Sequence, residues 1–259
     1  MLQSRRKEPK PRFRGEMTQL YLIRHALTDW INNGRLAGWT PGVSLNEEGR
    51  KQAAALAQRL ERIPLVALYS SPLERALETA QAIATAHGLT VQVRDGLGEV
   101  RYGEWTDRSL EELSKSETWL SVQVYPSGTR FPGGETLREV QARAVAEIEA
   151  ICQAHPQEAV AVVSHADVIK AVIAHYLGLH LDLFQRIVIS PASVSVLLMG
   201  RFGPRLVRLN DTGPLEPLPK EQEKLQKEKE PSAEPPPRSA SSGTVVPSAE
   251  EEASRGPTR

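Results

Sequence analysis

Hydrophobic residues along the chain form short continuous runs, which alternate with longer stretches where an apolar position recurs every three or four residues. The short runs predict strands, and the longer pattern is typical of amphipathic helices. Strands are predicted at residues 19–24, 65–70, 90–94, 159–164, 193–199 and 205–210. Helices are predicted at residues 47–63, 72–87, 136–154 and 167–177.

Residues that favour helix ends mark several of these boundaries. Asn46 stands where it can cap the first predicted helix, and Ser71 followed by Pro72 is a start signal for the second. Gly88 follows the last residue of that second helix, a place where glycine commonly ends a helix. We therefore expect the second helix to begin at Pro72 and to end before Gly88.

The alternation of strands with helices predicts an α/β fold of three layers, αβα, in which a mostly parallel central sheet carries helices on both faces. The run AVAVVS at residues 159–164 is apolar at almost every position. Such a run is typical of a strand that is covered on both sides. The last two predicted strands are separated by a Gly/Pro turn and are expected to form a terminal hairpin.

Composition divides the 259 residues into three parts. Residues 214–259 contain nine prolines and no aromatic residue, a composition that predicts a disordered tail. Residues 1–16 are rich in Lys and Arg and are predicted to be a basic flexible arm. Residues 17–213 are then expected to form the folded catalytic domain. Met17 directly precedes the first strand, so translation from either Met1 or Met17 stays open.

The net charge of the whole chain is zero, which gives no broad basic surface for nucleic acid or an anionic membrane. No apolar run is long enough to span a bilayer. Cys152 is the only cysteine, so an internal disulfide is excluded and a cytoplasmic location is favoured. We therefore expect neither nucleic acid nor membrane as a partner, and the oligomeric state is left unknown.

Ionisable side chains follow the predicted strands at the points where those strands end. Arg24 and His25 follow the first strand, His165 follows the strand at residues 159–164, and Glu99 lies a little beyond the third strand. Ligands bind outside the carboxyl ends of the strands in an open parallel sheet. Arg75 lies in the first turn of a helix, whose N-terminus attracts anions. These side chains are therefore expected to meet around an anion.

Two arginines and two histidines, without a metal-binding motif, are suited to a phosphate monoester. A guanidinium can hold two phosphoryl oxygens at once and keeps its charge. A neutral histidine can attack phosphorus and form a covalent intermediate. The departing alkoxide then takes a proton from a carboxylic acid such as Glu99, with Glu104 as the alternative carboxylate. The prediction is phosphate transfer with no metal and no cofactor.

Four segments carry a resemblance to a known family. LIRHALTDW, SSPLERALETA, LGEVRYGEW and VVSHADVIKAV occur in this order, and together they resemble the histidine phosphatase superfamily, which has the phosphoglycerate mutase-like fold. The resemblance covers roughly residues 18–212. The segment WLSVQVYPSGTRFPGGETLREVQARAV is similar to a bacterial branch of probable phosphomutases and phosphatases.

The resemblance implies a role for each matching residue. His25 matches the nucleophile that becomes phosphohistidine, and His165 matches the second histidine that contacts the same phosphoryl group. Arg24 and Arg75 match the two arginines that hold the phosphate. Glu99 matches the acid that protonates the leaving group and later activates water.

Other matching positions are expected to bind phosphate, and some depart from the family pattern. Thr28 aligns with the hydroxyl residue of the first segment. Ala26 and Ala166 stand after the two histidines, where the family usually has glycine, and Ala166 is expected to lie against the phosphate. Ile31 replaces the usual asparagine, so Asn32 is either its substitute or one phosphate hydrogen bond is missing.

Three functions are compatible with these residues. The leading one is a metal-independent phosphomonoester hydrolase that acts through phosphohistidine on a small phosphorylated metabolite. The alternative is a phosphoglycerate mutase-type phosphotransferase with the same residues, but the mutases that this chain resembles carry a longer insertion before the second histidine. Here residues 119–134 leave only a modest cap, which favours hydrolysis. The third is a non-catalytic module that binds a phospho-ligand. Which phosphomonoester is bound is not determined by the sequence.

Overall fold

A computed structural model describes residues 17–215 of the chain. The predicted arm at residues 1–16 and residues 216–259 of the predicted tail lie outside the described residues. The described strands form one six-stranded sheet: β1 (Thr18–Arg24), β2 (Leu65–Ser70), β3 (Val91–Val93), β4 (Ala159–Ser164), β5 (Val194–Met199) and β6 (Arg205–Asp211).

The order of strands across the sheet is β3-β2-β4-β1-β5-β6. The first four strands in this order run parallel, whereas β5 is antiparallel to both β1 and β6. The mostly parallel sheet and the terminal hairpin are therefore confirmed. All six residues of β4 are buried, as the continuous apolar run predicts.

The described helices are α1 (Asp29–Asn32), α2 (Glu47–Leu60), α3 (Glu74–His87), α4 (Leu110–Leu113), α5 (Glu117–Val124), α6 (Leu137–Ala154) and α7 (Ala166–Tyr176). Side chains alternate between the two faces of β1. Leu20 and Leu22 belong to the core that α6 and α7 cover, and Tyr21 and Ile23 belong to the core that α2 and α3 cover. The three-layer αβα prediction is confirmed.

The predicted caps agree with the structure at α2 and at the end of α3. The Asn46 side chain accepts a hydrogen bond from the Gly49 N–H at 2.8 Å. Gly88 has a φ of 64°, in the left-handed region that glycine adopts without a steric cost, and it ends α3. At α6, Thr136 and Glu139 form a reciprocal capping box.

The predicted cap at Ser71 is wrong. Helix α3 begins at Glu74, and its N-cap residue is Leu73, which has no side-chain cap. The Ser71 hydroxyl accepts a hydrogen bond from the Leu73 N–H at 3.3 Å and lies 2.7 Å from Nε2 of His165. The Ser71 hydroxyl, which the local sequence pattern assigns to the helix N-terminus, is therefore in contact with a distant residue, His165.

Three described helices were not predicted. Helices α1 and α4 have only four residues each, too few for an apolar period to appear. Helix α5 has eight residues but buries only Val122.

The described residues end at Leu215, which is 4% exposed and belongs to the core beneath α2 and α3. Packed residues therefore extend past residue 213, the predicted end of the folded domain.

The carboxyl ends of the central strands are level. Arg24 at the end of β1 pairs with Ser164 at the end of β4, and Ser70 of β2 pairs with Val163. The segments that follow β1, β2 and β4 therefore start side by side.

Within residues 17–215, no helix is both long and apolar enough to cross a lipid bilayer.

The first turn of α2 packs directly on the segment after β1. A Cβ atom on Gly49 would lie 2.0 Å from the carbonyl oxygen of Leu27, so a side chain here would push that segment away. We expect Gly49→Ala to lower the free energy of unfolding by about 1–3 kcal/mol. Helix propensity alone predicts the opposite sign, a gain of roughly 1 kcal/mol.

The measurement is denaturant unfolding of both proteins. Gly213→Ala is the control, because the nearest atom to its added Cβ is Asp211 Oδ1 at 3.6 Å; its unfolding free energy should change by less than about 0.5 kcal/mol. An unchanged or more stable Gly49→Ala variant would contradict the close approach.

Candidate active site

A cavity of about 210 Å³ lies at the carboxyl ends of β1 and β4. Six of the predicted site residues line it: Arg24, His25, Thr28, Arg75, Glu99 and Ala166. His165 is fully buried directly behind them, with its ring centroid 5.1 Å from that of His25. The structure thus brings both histidines, both arginines and the carboxyl group to one place.

The His25 ring carries its proton on Nδ1 and its lone pair on Nε2. Its Nδ1 lies 2.8 Å from the carbonyl oxygen of Ala26, which can only accept, so Nδ1 carries the proton. Nε2 in turn accepts from Nε–H of Arg75 at 3.3 Å. Burial, and then the charges of Arg75 and Arg24, hold the pKa of His25 well below its usual range. The imidazole is therefore neutral, as a nucleophile at phosphorus must be.

The segment after β1 is fixed by helices α2 and α3. The Ala26 N–H donates to the Thr79 hydroxyl at 3.1 Å, and the Leu27 N–H donates to the side-chain oxygen of Gln52 at 3.1 Å. Ala26 itself is fully buried, in the core beneath these helices. The methyl group that replaces the family's glycine thus points into core packing, where it is accommodated.

Both arginines have N–H donors to spare. Arg75 is 2% exposed, and its Nη2 donates to the Gly38 carbonyl at 2.9 Å. Nη1 of Arg24 donates to the Ile189 carbonyl at 2.6 Å. Within residues 17–215, Nη1 of Arg75 and Nε of Arg24 are buried without a hydrogen-bond partner. Burial is the largest cause that lowers the pKa of each guanidinium, and an anion in the cavity would relieve that cost.

His165 does not line the cavity among the described residues, but its ring lies directly behind residues that do. The Ser71 hydroxyl accepts from the Leu73 N–H, and its own proton can go to Nε2 of His165 at 2.7 Å. The proton on the ring is then on Nδ1, which has no hydrogen-bond partner among the described residues and lies 3.8 Å from Oε2 of Glu99. Burial, followed by the charge of Arg75, keeps the pKa of His165 well below its usual range. His165 is thus a neutral imidazole whose Nδ1 lies beside Glu99, one of the residues that line the cavity.

Glu99 lines the cavity and has a raised pKa. Its Oε1 accepts from the Val100 N–H at 2.8 Å. Burial and the neighbouring Asp167 carboxylate raise the pKa of Glu99 to about 7, against the opposing charges of Arg75 and Arg24. Near neutral pH a large fraction of Glu99 therefore carries a proton. The alternative carboxylate predicted from sequence, Glu104, is exposed and does not line the cavity.

Of the other two side chains predicted to bind phosphate, Thr28 lines the cavity and Asn32 does not. Thr28 is 1% exposed and lines the cavity, while its hydroxyl caps α1 by accepting from the Ile31 N–H at 3.4 Å. Asn32 is exposed and is not among the residues that line the cavity, whereas Ile31 is. Between the two alternatives, this arrangement favours a missing phosphate hydrogen bond over a substitute asparagine.

Sequence reasoning missed three charged or polar residues of the cavity: Arg35, Tyr102 and Asp167. The Tyr102 hydroxyl donates to Oδ2 of Asp167 at 3.0 Å, and both residues line the cavity. Oδ1 of Asp167 lies 3.2 Å from Nζ of Lys170. Asp167 follows His165 by two positions at the strand end, so the same rule that selected His165 could have found it. Tyr102 has no such signal, because it lies in a loop.

Metal-ligating side chains do not gather in this part of the protein. Among the described residues, no three His, Cys, Asp or Glu side chains are grouped as they would need to be to hold a metal ion.

Comparison with known proteins identifies what these residues resemble. The family model for the histidine phosphatase superfamily (branch 1) matches residues 20–212. Phosphoserine phosphatase 1 of Hydrogenobacter thermophilus is 35% identical over 198 residues, which cover 76% of this chain and 93% of that protein. A probable phosphoglycerate mutase of Cronobacter sakazakii is 31% identical over 182 residues, which cover 69% of this chain and 84% of that protein.

The fold is also found in solved structures. A mutant of phosphoserine phosphatase from Entamoeba histolytica, in complex with phosphoserine, superposes with a TM-score of 0.71 and 27% sequence identity. The match covers 77% of this chain and all of that one.

The raised pKa of Glu99 predicts how hydrolysis depends on pH. A proton donor with a pKa of about 7 is lost as the pH rises through that value, so kcat/KM for an alkyl phosphate should fall above neutral pH. Glu99→Gln cannot ionise, and its residual kcat/KM, lower by roughly 10²–10⁴-fold, should lack this fall. Glu104→Gln should keep the wild-type profile. A Glu99→Gln variant that retains the same fall would assign the titration to another group.

The position of Asn32 gives a second expectation. Because its side chain is exposed outside the cavity, Asn32→Ala should change kcat/KM by less than about twofold, as for other surface substitutions. Thr28→Ala is the comparison, since Thr28 is buried in the cavity wall and caps α1; it should lower kcat/KM clearly more. A loss of tenfold or more in Asn32→Ala would mean that the asparagine reaches the phosphate.

Proposed function

The chain belongs to the histidine phosphatase superfamily, and we propose that it hydrolyses small phosphomonoesters through a phosphohistidine formed on His25. It is an enzyme, a phosphatase of the histidine phosphatase type. One observation supports the assignment of His25: a neutral imidazole in the cavity wall, whose Nε2 lone pair accepts from Arg75 at 3.3 Å, lies beside two guanidiniums with unused N–H donors. The other site residues then take the roles that follow.

In the first step, the Nε2 lone pair of His25 attacks phosphorus, and an N–P bond forms. The bond between phosphorus and the ester oxygen breaks, and its electron pair stays on that oxygen. Glu99, a large fraction of which carries a proton near neutral pH, gives its proton to the departing oxygen. The products of this step are an alcohol, phosphohistidine and the Glu99 carboxylate.

In the second step, the Glu99 carboxylate takes a proton from a water molecule as the water oxygen attacks phosphorus. The N–P bond breaks, and its electron pair returns to Nε2 of His25. Inorganic phosphate leaves, and both His25 and Glu99 regain their starting forms. The same carboxyl group thus acts first as the acid and then as the base.

Arg24, Arg75 and His165 are proposed to hold the phosphoryl oxygens in both steps. Each has a buried nitrogen without a hydrogen-bond partner among the described residues: Nε of Arg24, Nη1 of Arg75 and Nδ1 of His165. Donors fixed in advance in a site of low dielectric stabilise the charge that develops on the equatorial oxygens. Since two guanidiniums neutralise that charge, we propose that hydrolysis proceeds without a metal ion or other cofactor.

Hydrolysis is favoured over phosphoryl transfer back to a substrate. A mutase has to keep water away from its phosphohistidine, and residues 119–134 are the segment from which a cap could be built. No residue of that segment lines the cavity in the described part of the chain. The mutase alternative keeps support from the relative named a probable phosphoglycerate mutase.

Phosphoserine is the first substrate to test. One relative is named a phosphoserine phosphatase, and a solved structure with this fold contains phosphoserine. The cytoplasmic location and the absence of nucleic-acid and membrane partners stay predictions.

Replacement of the nucleophile tests the proposal. His25→Ala should lower the release of inorganic phosphate from phosphoserine and p-nitrophenyl phosphate by at least about 10³-fold, since a nucleophile and its covalent route are lost. His175→Ala is the matched control, because His175 is exposed on α7, and it should retain wild-type rates. Assays run with a chelator should give the same rates as assays without one.

Wild-type enzyme quenched at alkaline pH during turnover should carry phosphate on His25, detectable by mass spectrometry, because the N–P bond of phosphohistidine survives in base and is hydrolysed in acid. Unchanged hydrolysis by His25→Ala would exclude His25 as the nucleophile, whereas no hydrolysis by the wild type would favour the non-catalytic module that binds a phospho-ligand. Interconversion of phosphoglycerates without release of inorganic phosphate would favour the mutase.

A further inference from the structure

The guanidinium of Arg143, on α6, lies behind the segment that carries Glu99. Its Nη1 donates to the carbonyls of Gly96 and Gly98 at 2.8 and 2.7 Å, and its Nη2 donates to the carbonyl of Glu99 at 2.9 Å. Nε and Nη2 also donate to the two carboxylate oxygens of Glu135, at 2.9 and 3.0 Å. All five N–H donors of the guanidinium are therefore used.

Glu135 and Trp39 hold the same segment from other directions. Oε2 of Glu135 accepts from the Arg101 N–H at 2.9 Å, and the Glu135 N–H donates to the Arg101 carbonyl at 2.9 Å. Nε1 of Trp39 donates to the Glu99 carbonyl at 2.6 Å. The backbone is thus tied on both sides of Glu99 and at Glu99 itself.

The Glu99 carboxyl group has few contacts of its own to define its position. Oε1 bonds only to the N–H of the next residue, Val100, and the 3.8 Å from Oε2 to Nδ1 of His165 exceeds a hydrogen bond. Where the carboxyl group lies in the cavity therefore depends on where the backbone of Glu99 is held. Arg143 and Glu135 do not line the cavity among the described residues, so they are not placed to touch a substrate.

We propose that Arg143 and Glu135 form a positioning pair that holds the carboxyl group of Glu99 at the distance from which it protonates the leaving group. The inference rests on the proposed function. It follows from the number and direction of the bonds: a planar fork of five donors is satisfied by three carbonyls and one bidentate carboxylate. A displacement of about 1 Å at an acid of this kind can cost on the order of 10²-fold in rate.

Arg143→Lys isolates the geometry from the charge. Lysine keeps the positive charge, but it has three donors on a single point and no planar fork, so it cannot reach three carbonyls and both oxygens of Glu135. Glu135→Gln is the milder variant, because it breaks the bidentate pair and leaves the three carbonyl bonds of Arg143. Arg138→Lys is the matched control, since Arg138 is exposed on the same helix.

The readout is kcat/KM for two substrates that differ in their need for an acid. The leaving group of phosphoserine is the alkoxide of serine, which requires a proton. The leaving group of p-nitrophenyl phosphate is the stabilised p-nitrophenolate, which does not. For each variant, kcat/KM covers the steps up to phosphoryl transfer onto His25. A defect that acts through Glu99 should therefore appear with phosphoserine and be small with p-nitrophenyl phosphate.

For Arg143→Lys we expect kcat/KM to fall by about 10–100-fold with phosphoserine and by less than about threefold with p-nitrophenyl phosphate. Glu135→Gln should show the same selectivity with a smaller loss. Glu99→Gln should show it most strongly, and Arg143→Lys added to Glu99→Gln should cost less than about threefold more, because the two residues act as one unit. Arg138→Lys should match the wild type with both substrates.

Equal losses with both substrates in folded Arg143→Lys and Glu135→Gln would overturn the positioning role, and so would a full further loss in the double variant. Thermal melting identifies a variant that fails to fold, in which case Glu135→Gln alone decides. The proposed function fails separately, if His25→Ala hydrolyses both substrates at wild-type rates.

Discussion

Two positive charges buried beside a histidine are the constraint on which the site depends. Arg75 is 2% exposed, and the bonds described for it go to a carbonyl and to an imidazole, neither of which carries a negative charge. A buried charge without a counter-ion is costly, and removing the partner of such a charge typically costs about 3–5 kcal/mol. Binding of an anion in this cavity would therefore stabilise the folded protein.

The same charges set the protonation of their neighbours. Arg75 and Arg24 add to burial in keeping His25 neutral, the form that its proposed attack on phosphorus requires. Glu99 is close enough to the arginines for them to lower its pKa, yet burial and Asp167 outweigh them and keep it near 7. The surroundings thus shift the pKa values of two groups in one cavity in opposite directions, as their proposed roles of nucleophile and acid require.

The scaffold delivers these groups through ordinary features of a parallel sheet. Level ends of β1 and β4 place His25 and His165 close together, and α3 brings Arg75 in its first turn. Helix α6 contributes from the other face of the sheet, where it carries Arg143 behind Glu99. Each layer of the fold therefore supplies one part of the site, and the core that holds the layers together also fixes the distances between the reacting atoms.

The sequence by itself determined the three layers, the mostly parallel sheet and the six strands. This was possible because the spacing of apolar residues along a helix or strand decides which of its faces is buried. It also determined which ionisable residues follow the strand ends, so His25, Arg24, His165, Arg75 and Glu99 could be named together. Only the tertiary structure decided that the Ser71 hydroxyl lies against His165 instead of capping a helix. It also decided that Asn32 is exposed outside the cavity, whereas Asp167 and Tyr102 line it. These outcomes depend on contacts between segments far apart in the chain, and local patterns carry no information about which distant partner a side chain meets.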